Sequence, residues 1–141
     1  MTEVTREILP DTRDSITHKA KIYDKALGDY SLFITVGLYP PDEIEHPKIG
    51  DSLRRPGEVW INIGKQGTTL RGLCDTTAIS LSMSLQYGVP LEAIVAQFKN
   101  HRYEPLVATS NPDIPQCTSI IDYVVQWLEF MFLKEEVDAS T

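Results

Sequence analysis

Cysteine is scarce in this chain. Cys74 and Cys117 are the only two in 141 residues, they form no CxxC pair, and three histidines are available to join them. Neither a disulfide framework nor a zinc site is expected from such a set. Long apolar runs are also missing: no segment reaches the roughly 18 consecutive apolar residues that span a bilayer. Residues 1–10 carry Glu3 and Glu7 and lack the apolar core of a signal peptide. The expectation is therefore a cytoplasmic protein with reduced thiols and no membrane partner. Positive charge is in deficit, with 13 Lys and Arg against 20 Asp and Glu and a net charge of -7. That balance excludes a uniformly basic surface for duplex nucleic acid, while a local cationic patch stays open.

What is present is ordinary globular material, 42% hydrophobic and 23% charged, in a length that suits one core and is too short for a barrel enzyme. Residues 1–10 read as an arm, 11–133 as one domain, and 134–141 as an acidic tail. Over residues 15–22 Ile16, His18, Ala20 and Ile22 alternate with Ser15, Thr17, Lys19 and Lys21, the period of a half-buried strand. Gly28 and Asp29 mark a turn, and 30–37 repeats the alternation, so a hairpin is expected. Residues 39–56 hold Pro40, Pro41, Pro47, Gly50 and Pro56 and read as a mobile surface loop. A third strand follows over 58–63, with Val59, Ile61 and Ile63 opposite Trp60 and Asn62.

The period then changes. Residues 68–87 are apolar or small around most of the circumference, which predicts a central helix stopped by Gly88. Pro90 opens a shorter helix to Phe98. A proline-containing loop over 103–115 leads to a last helix over 117–133, where Ser119 and Asp122 have capping-box spacing. The fold class that results is α+β: a three-stranded antiparallel sheet packed on a central apolar helix, with two further helices. So much apolar surface on a small sheet predicts a homo-oligomer, with Trp127, Phe130 and Met131 of the last helix at the interface.

Three clusters carry chemistry. Gly64-Lys65-Gln66-Gly67-Thr68-Thr69 joins a strand to a helix start, where free N–H groups and the helix dipole favour an anion. Lys65, Gly67, Thr68 and Thr69 are the candidates there, although simple capping by a threonine uses the same residues. The spacing is not a Walker motif, so nucleotide hydrolysis is not indicated. Arg13, Ser15, Thr17 and Lys19 fall on one side of the first strand and set hydroxyls between two cations, a mixture suited to a phosphoryl group or equally to a solvated sheet face. His18 lies in the apolar register, where a core histidine is the commoner outcome, and it joins Arg13, Ser15, Thr17 and Lys19 as a candidate ligand-binding residue. His101, Arg102 and Glu104 form the third cluster, able to hold an anion or to pair internally. Cys74 and Cys117 read as buried or capping thiols, and Trp60, Trp127, Phe130 and Phe132 as core or interface. No catalytic residue, metal site or cofactor is indicated.

Read together, three stretches carry a family resemblance: residues 9–19, with Pro10-Asp11-Thr12-Arg13-Asp14-Ser15; residues 76–91, ending Leu85-Gln86-Tyr87-Gly88-Val89-Pro90-Leu91; and Phe98-Lys99-Asn100-His101-Arg102-Tyr103-Glu104-Pro105 with Asn111-Pro112-Asp113-Ile114. In this order they resemble the carboxy-terminal, TSCPD-type region of the large adenosylcobalamin-dependent (class II) ribonucleotide reductases, over residues 9–128. The resemblance implies an accessory domain without that family's catalytic barrel, radical-forming cysteine, cobalamin site or terminal CxxC elements. Two functions follow as expectations. One is non-catalytic binding of a nucleotide-like small molecule, such as sequestration of a nucleotide signal in the manner of viral anti-defence proteins. The other is an accessory or regulatory module for the catalytic subunit of a separately encoded ribonucleotide reductase.

Overall fold

A computed structural model describes residues 4–25, 28–41, 54–64, 68–102 and 106–133. The expected loop over 39–56 and the acidic tail fall largely outside these residues, as do Lys65, Gly67 and Glu104.

The period-2 segments fold as expected. Strands β1 (Ser15–Tyr23) and β2 (Tyr30–Leu38) form an antiparallel pair from Ser15↔Gly37 to Ile22↔Tyr30. Gly28 adopts a φ of 81° between them, a left-handed value open to glycine at little cost. Strand β3 (Pro56–Ile63) pairs antiparallel with β2, setting Val59, Ile61 and Ile63 beside Val36, Ile34 and Leu32. All six of these side chains are buried on the inner face.

Among the described residues the sheet has five strands rather than three. Strands β4 (Val107–Thr109) and β5 (Gln116–Cys117) extend it beyond β1, giving the order β3-β2-β1-β4-β5. Three and two residues are too short to display alternation. Their pairing comes from tertiary contacts: Ile22↔Thr109 and Tyr23↔Ala108, with Lys21 N–H donating to Ser110 Oγ at 2.8 Å. Cys117 is thus a buried strand residue and not a helix start.

Among the described residues three helices supply the rest: α1 (Thr68–Gln86), α2 (Leu91–Phe98) and α3 (Ile120–Phe132). Gly88 ends α1 at φ 94°, with Gly88 N–H donating to Leu85 O and Val89 N–H to Ser84 O, the two bonds of a Schellman turn. Pro90 is the residue before α2 and not its first member. Ser119 caps α3, its hydroxyl accepting from Asp122 N–H at 2.9 Å.

The helix at the centre is α3, not α1. Tyr123, Val124, Val125, Trp127 and Leu128 are almost wholly enclosed, each worth about 1.5–3 kcal/mol against exposure. Trp127 therefore belongs to the chain's own core, which overturns its assignment to a subunit interface. Helix α1 covers the outer edge of the sheet with Cys74, Ala78, Leu81 and Leu85, and leaves Leu73, Ile79 and Met83 exposed, with Tyr87 exposed just past its end. Its apolar circumference had suggested burial all round. One flank meets β3, and the described residues put nothing over the other.

The contact between α1 and β3 also closes part of a strand edge. Ser82 Oγ accepts from Val59 N–H at 2.8 Å and donates to Val59 O at 3.1 Å, while Gln86 Nε2 donates to Gly57 O at 2.9 Å. Two polar side chains one helical turn apart thereby satisfy backbone groups that a further strand would otherwise have to meet. The segment before β1 docks beside them: Leu9 is buried, Glu7 N–H donates to Gln86 O, and Arg6 Nε donates to Gln86 Oε1.

Candidate functional site

Because the helices cover one face of the sheet, alternation turns the other face outward as three cross-strand rows. Ser15, Gly37 and Glu58 form the first, Thr17, Thr35 and Trp60 the second, and Lys19, Phe33 and Asn62 the third. Lys21 lies beyond them, opposite Ser31.

In the first row Glu58 lies across Gly37. A Cβ at that glycine would come within 2.2 Å of Glu58 Oε2, so the missing side chain makes room for the carboxylate. Arg13 meets it with two bonds, Nε to Oε2 at 2.8 Å and Nη2 to Oε1 at 2.9 Å. Its remaining Nη1 donates to Pro10 O. Arg13 was a candidate for an anionic guest; its charge is instead matched by Glu58, with a third N–H given to Pro10 O.

In the second row Thr17 and Thr35 share a hydrogen bond of 3.1 Å, and Trp60 stands half exposed beside them. In the third, Lys19 Nζ lies 5.7 Å from the centre of the Phe33 ring, within cation–π range. Among the described residues the side chains of Lys19, Lys21 and Arg71 enter no ion pair, whereas Arg13, Arg54, Arg55 and Lys99 are each paired with a carboxylate.

His18 takes the opposite direction. Its ring stacks on Trp127 at 4.9 Å and lies near-parallel to Tyr123. His18 Nε2 is 2.7 Å from Tyr123 Oη, which is also 3.0 Å from Asn111 Nδ2. An amide nitrogen can only donate, so the phenol accepts from Asn111, and the imidazole tautomer sets the direction of its bond with His18 Nε2. Burial holds the His18 pKa below its ordinary value and raises that of Tyr123. The chain is a neutral core network joining β1 to α3, so His18 is separated from the outward row of Arg13, Ser15, Thr17 and Lys19.

The third cluster lies on the helical side. The His101 carbonyl accepts from Ser119 Oγ at 2.7 Å and Thr118 Oγ1 at 3.1 Å, and its ring meets Phe98 edge-on. Arg102 is exposed. Beneath them the buried Asp122 carboxylate accepts from Asn100 N–H, Thr118 N–H and Gln126 Nε2, tying the end of α2 to β5 and α3. At the strand-to-helix turn, α1 begins at Thr68 as expected and Thr69 is exposed in its first turn. Among the described residues, Ser15, Thr17 and Lys19 lie on the outward face, Thr69 in the first turn of α1, and His101 and Arg102 after α2, while Lys65, Gly67 and Glu104 lie outside the described residues.

What sequence reasoning passed over is the flank of β3. A cleft of about 210 Å³ lies between β3 and α1, lined by Trp60, Asn62, Arg71, Cys74 and Asp75 over Ile61 and Ile63. Burial and the Asp75 charge push the Cys74 thiol up, away from the reactive thiolate. The polar Asn62 in the same register as Trp60 was the available signal that this tryptophan faces outward.

Comparison with known proteins gives one consistent result. A B12-dependent ribonucleotide reductase of Rhodopirellula baltica is 41% identical over 128 residues, which is 91% of this chain and 11% of that protein. The reductase of Streptantibioticus cattleyicolor is 37% identical over 96% of this chain and 20% of its own length. That of Agrobacterium fabrum is 34% identical over 91% of this chain and 9% of its length. The chain thus spans a fifth or less of these relatives. No solved structure matches it. The model of the TSCPD domain matches residues 46–132, and the chain belongs to the TSCPD domain family.

Proposed function

We propose that this domain is a non-catalytic accessory module that works with the catalytic body of a B12-dependent ribonucleotide reductase. The observation that carries this reading is the unequal coverage: nearly all of this chain corresponds to a fifth or less of each reductase. In such relatives the domain shares a polypeptide with a far larger body. The exposed flank of α1, with Leu73, Ile79 and Met83 and with Tyr87 just past its end, supplies an uncharged apolar stripe on which that body can rest.

The test is co-purification, followed by native mass spectrometry, of this chain with a B12-dependent reductase from which the corresponding region has been removed. A stable complex that Ile79→Asp and Met83→Asp abolish supports the reading. Absence of any complex overturns it.

A second reading is the binding of a phosphorylated small molecule, including sequestration of a nucleotide. Supporting it is the row of Ser15, Thr17 and Lys19, with Lys19 unpaired, although Arg13 is engaged by Glu58. A ligand at one hundred times its dissociation constant stabilises a fold by about 2.7 kcal/mol, so thermal-shift measurements with nucleotides decide it. Loss of the shift in Lys19→Ala supports this site, and no shift with any nucleotide removes the reading.

A further inference from the structure

We infer that the outward face of the sheet binds single-stranded nucleic acid, which crosses the strands from Lys19 and Lys21 over Phe33 and Trp60 to Arg71. The inference goes beyond the accessory role and is independent of it. It shares Lys19 with the small-ligand reading, and the measurements below separate the two.

Charge is the first argument. In a chain of net charge -7, four of the described cations are held by carboxylates. Lys19 and Lys21, without such partners, lie on one side of a pair of aromatic rings, and Arg71 lies on the other. Two carboxylates adjoin this track: Glu58 is committed to Arg13, and Asp75 lines the cleft one helical turn from Arg71. Lys19 and Lys21 at one end of the aromatic platform are thus, among the described residues, cations outside any ion pair, and Arg71 shares the other end with Asp75, an arrangement that offers phosphates a contact on either side.

Geometry is the second. Trp60 pairs with Thr35 and Phe33 with Asn62, so the two rings are diagonal neighbours on adjacent strands, about 7–8 Å apart at their backbones. Two platforms at that separation receive two successive bases, whereas a mononucleotide occupies one. Lys19 stands over Phe33 on β1, one strand spacing of about 4.8 Å further on. Arg71 follows Trp60 across the β3 edge, where the cleft of about 210 Å³ accommodates a sugar and phosphate. Thr17, Thr35 and Asn62 place hydroxyl and amide groups between the rings for sugar or base edges.

Shape is the third. An open sheet with Trp60 half exposed, Phe33 partly buried beneath Lys19 and cations to either side offers a π-face that a duplex, with its bases paired inside, cannot use. This preference is compatible with the acidic composition, since stacking supplies the affinity that a weak overall field does not.

The experiment is fluorescence anisotropy at low salt on the full 141-residue chain, with labelled oligothymidylate as probe and competition by unlabelled thymidine monophosphate or a duplex of equal length. Titration of the wild type is expected to saturate. Trp60→Ala is expected to weaken binding roughly 5- to 150-fold, the range for losing one stacked base. Trp60→Phe should restore most of it. Lys19→Ala and Arg71→Ala should each lower the log–log salt slope by about 0.7. All of these side chains are exposed, and an unchanged thermal midpoint establishes that each variant is folded. No anisotropy change up to about 100 µM protein, the weak end of non-specific binding, overturns the inference. So does undiminished binding by Trp60→Ala, or equal competition by duplex. Equal competition by the monophosphate also overturns it while leaving the small-ligand reading standing.

Discussion

Replacing Ser82 by alanine tests how the sheet edge is closed. Ser82 Oγ both accepts from Val59 N–H and donates to Val59 O, and neither residue is open to solvent. Without the hydroxyl the Val59 N–H is left in a place water does not reach, at a cost of about 1–3 kcal/mol. Alanine's better helix propensity returns about 0.5 kcal/mol. The net loss is about 1–2 kcal/mol, which for a domain of this size lowers Tm by roughly 3–8 °C. Differential scanning calorimetry or urea denaturation reads it directly. Ser80→Ala is the matched control: Ser80 is exposed on the same helix, and its replacement should stay within about 0.5 kcal/mol of wild type. If Ser82→Ala proves as stable as Ser80→Ala, the double bond to Val59 contributes nothing and the account of this edge is wrong.

Gly37→Ala should cost about 1–3 kcal/mol as the new methyl displaces the Glu58 carboxylate from beneath Arg13; a wild-type urea midpoint would contradict this. Gly88→Ala should cost about 1 kcal/mol through its positive φ alone, since a methyl there meets no neighbour, and the same urea titration checks it. For His18 the folded pKa is depressed, so the unfolded chain binds the proton more readily. Its contribution to stability is present above the unfolded pKa of about 6.5 and is lost as pH falls from there through the folded value. Thermal midpoints followed downward from neutral pH should decline in this window, and His18→Gln should flatten that part of the profile. An unchanged profile in the variant would show that His18 is not the group responsible.

The strands and their inward residues were legible because alternation is a local signal: Leu32, Ile34 and Val36 announce a buried face without reference to anything distant. Strands β4 and β5 were not, since two or three residues display no period and their pairing depends on β1. Helix α1 looked more central than α3 because composition reports which residues are apolar and not which of them find cover. Of the site, the outward row of Ser15, Thr17 and Lys19 was readable from parity. The engagement of Arg13 by Glu58 was not, for those residues are far apart in sequence and meet only because Gly37 leaves a gap. The same limit concealed Arg71, a solitary charge until the fold brings α1 alongside Trp60.

The buried Asp122 carboxylate has an implication for how this domain tolerates change. It receives the backbone of Asn100 and of Thr118 at one point, so the intervening stretch leaves and returns to a common anchor. That stretch carries β4 and β5, so one carboxylate fastens both ends of the segment that completes the sheet. Removing it would loosen strand order and helix packing together, which makes Asp122 a hinge-pin between the two layers.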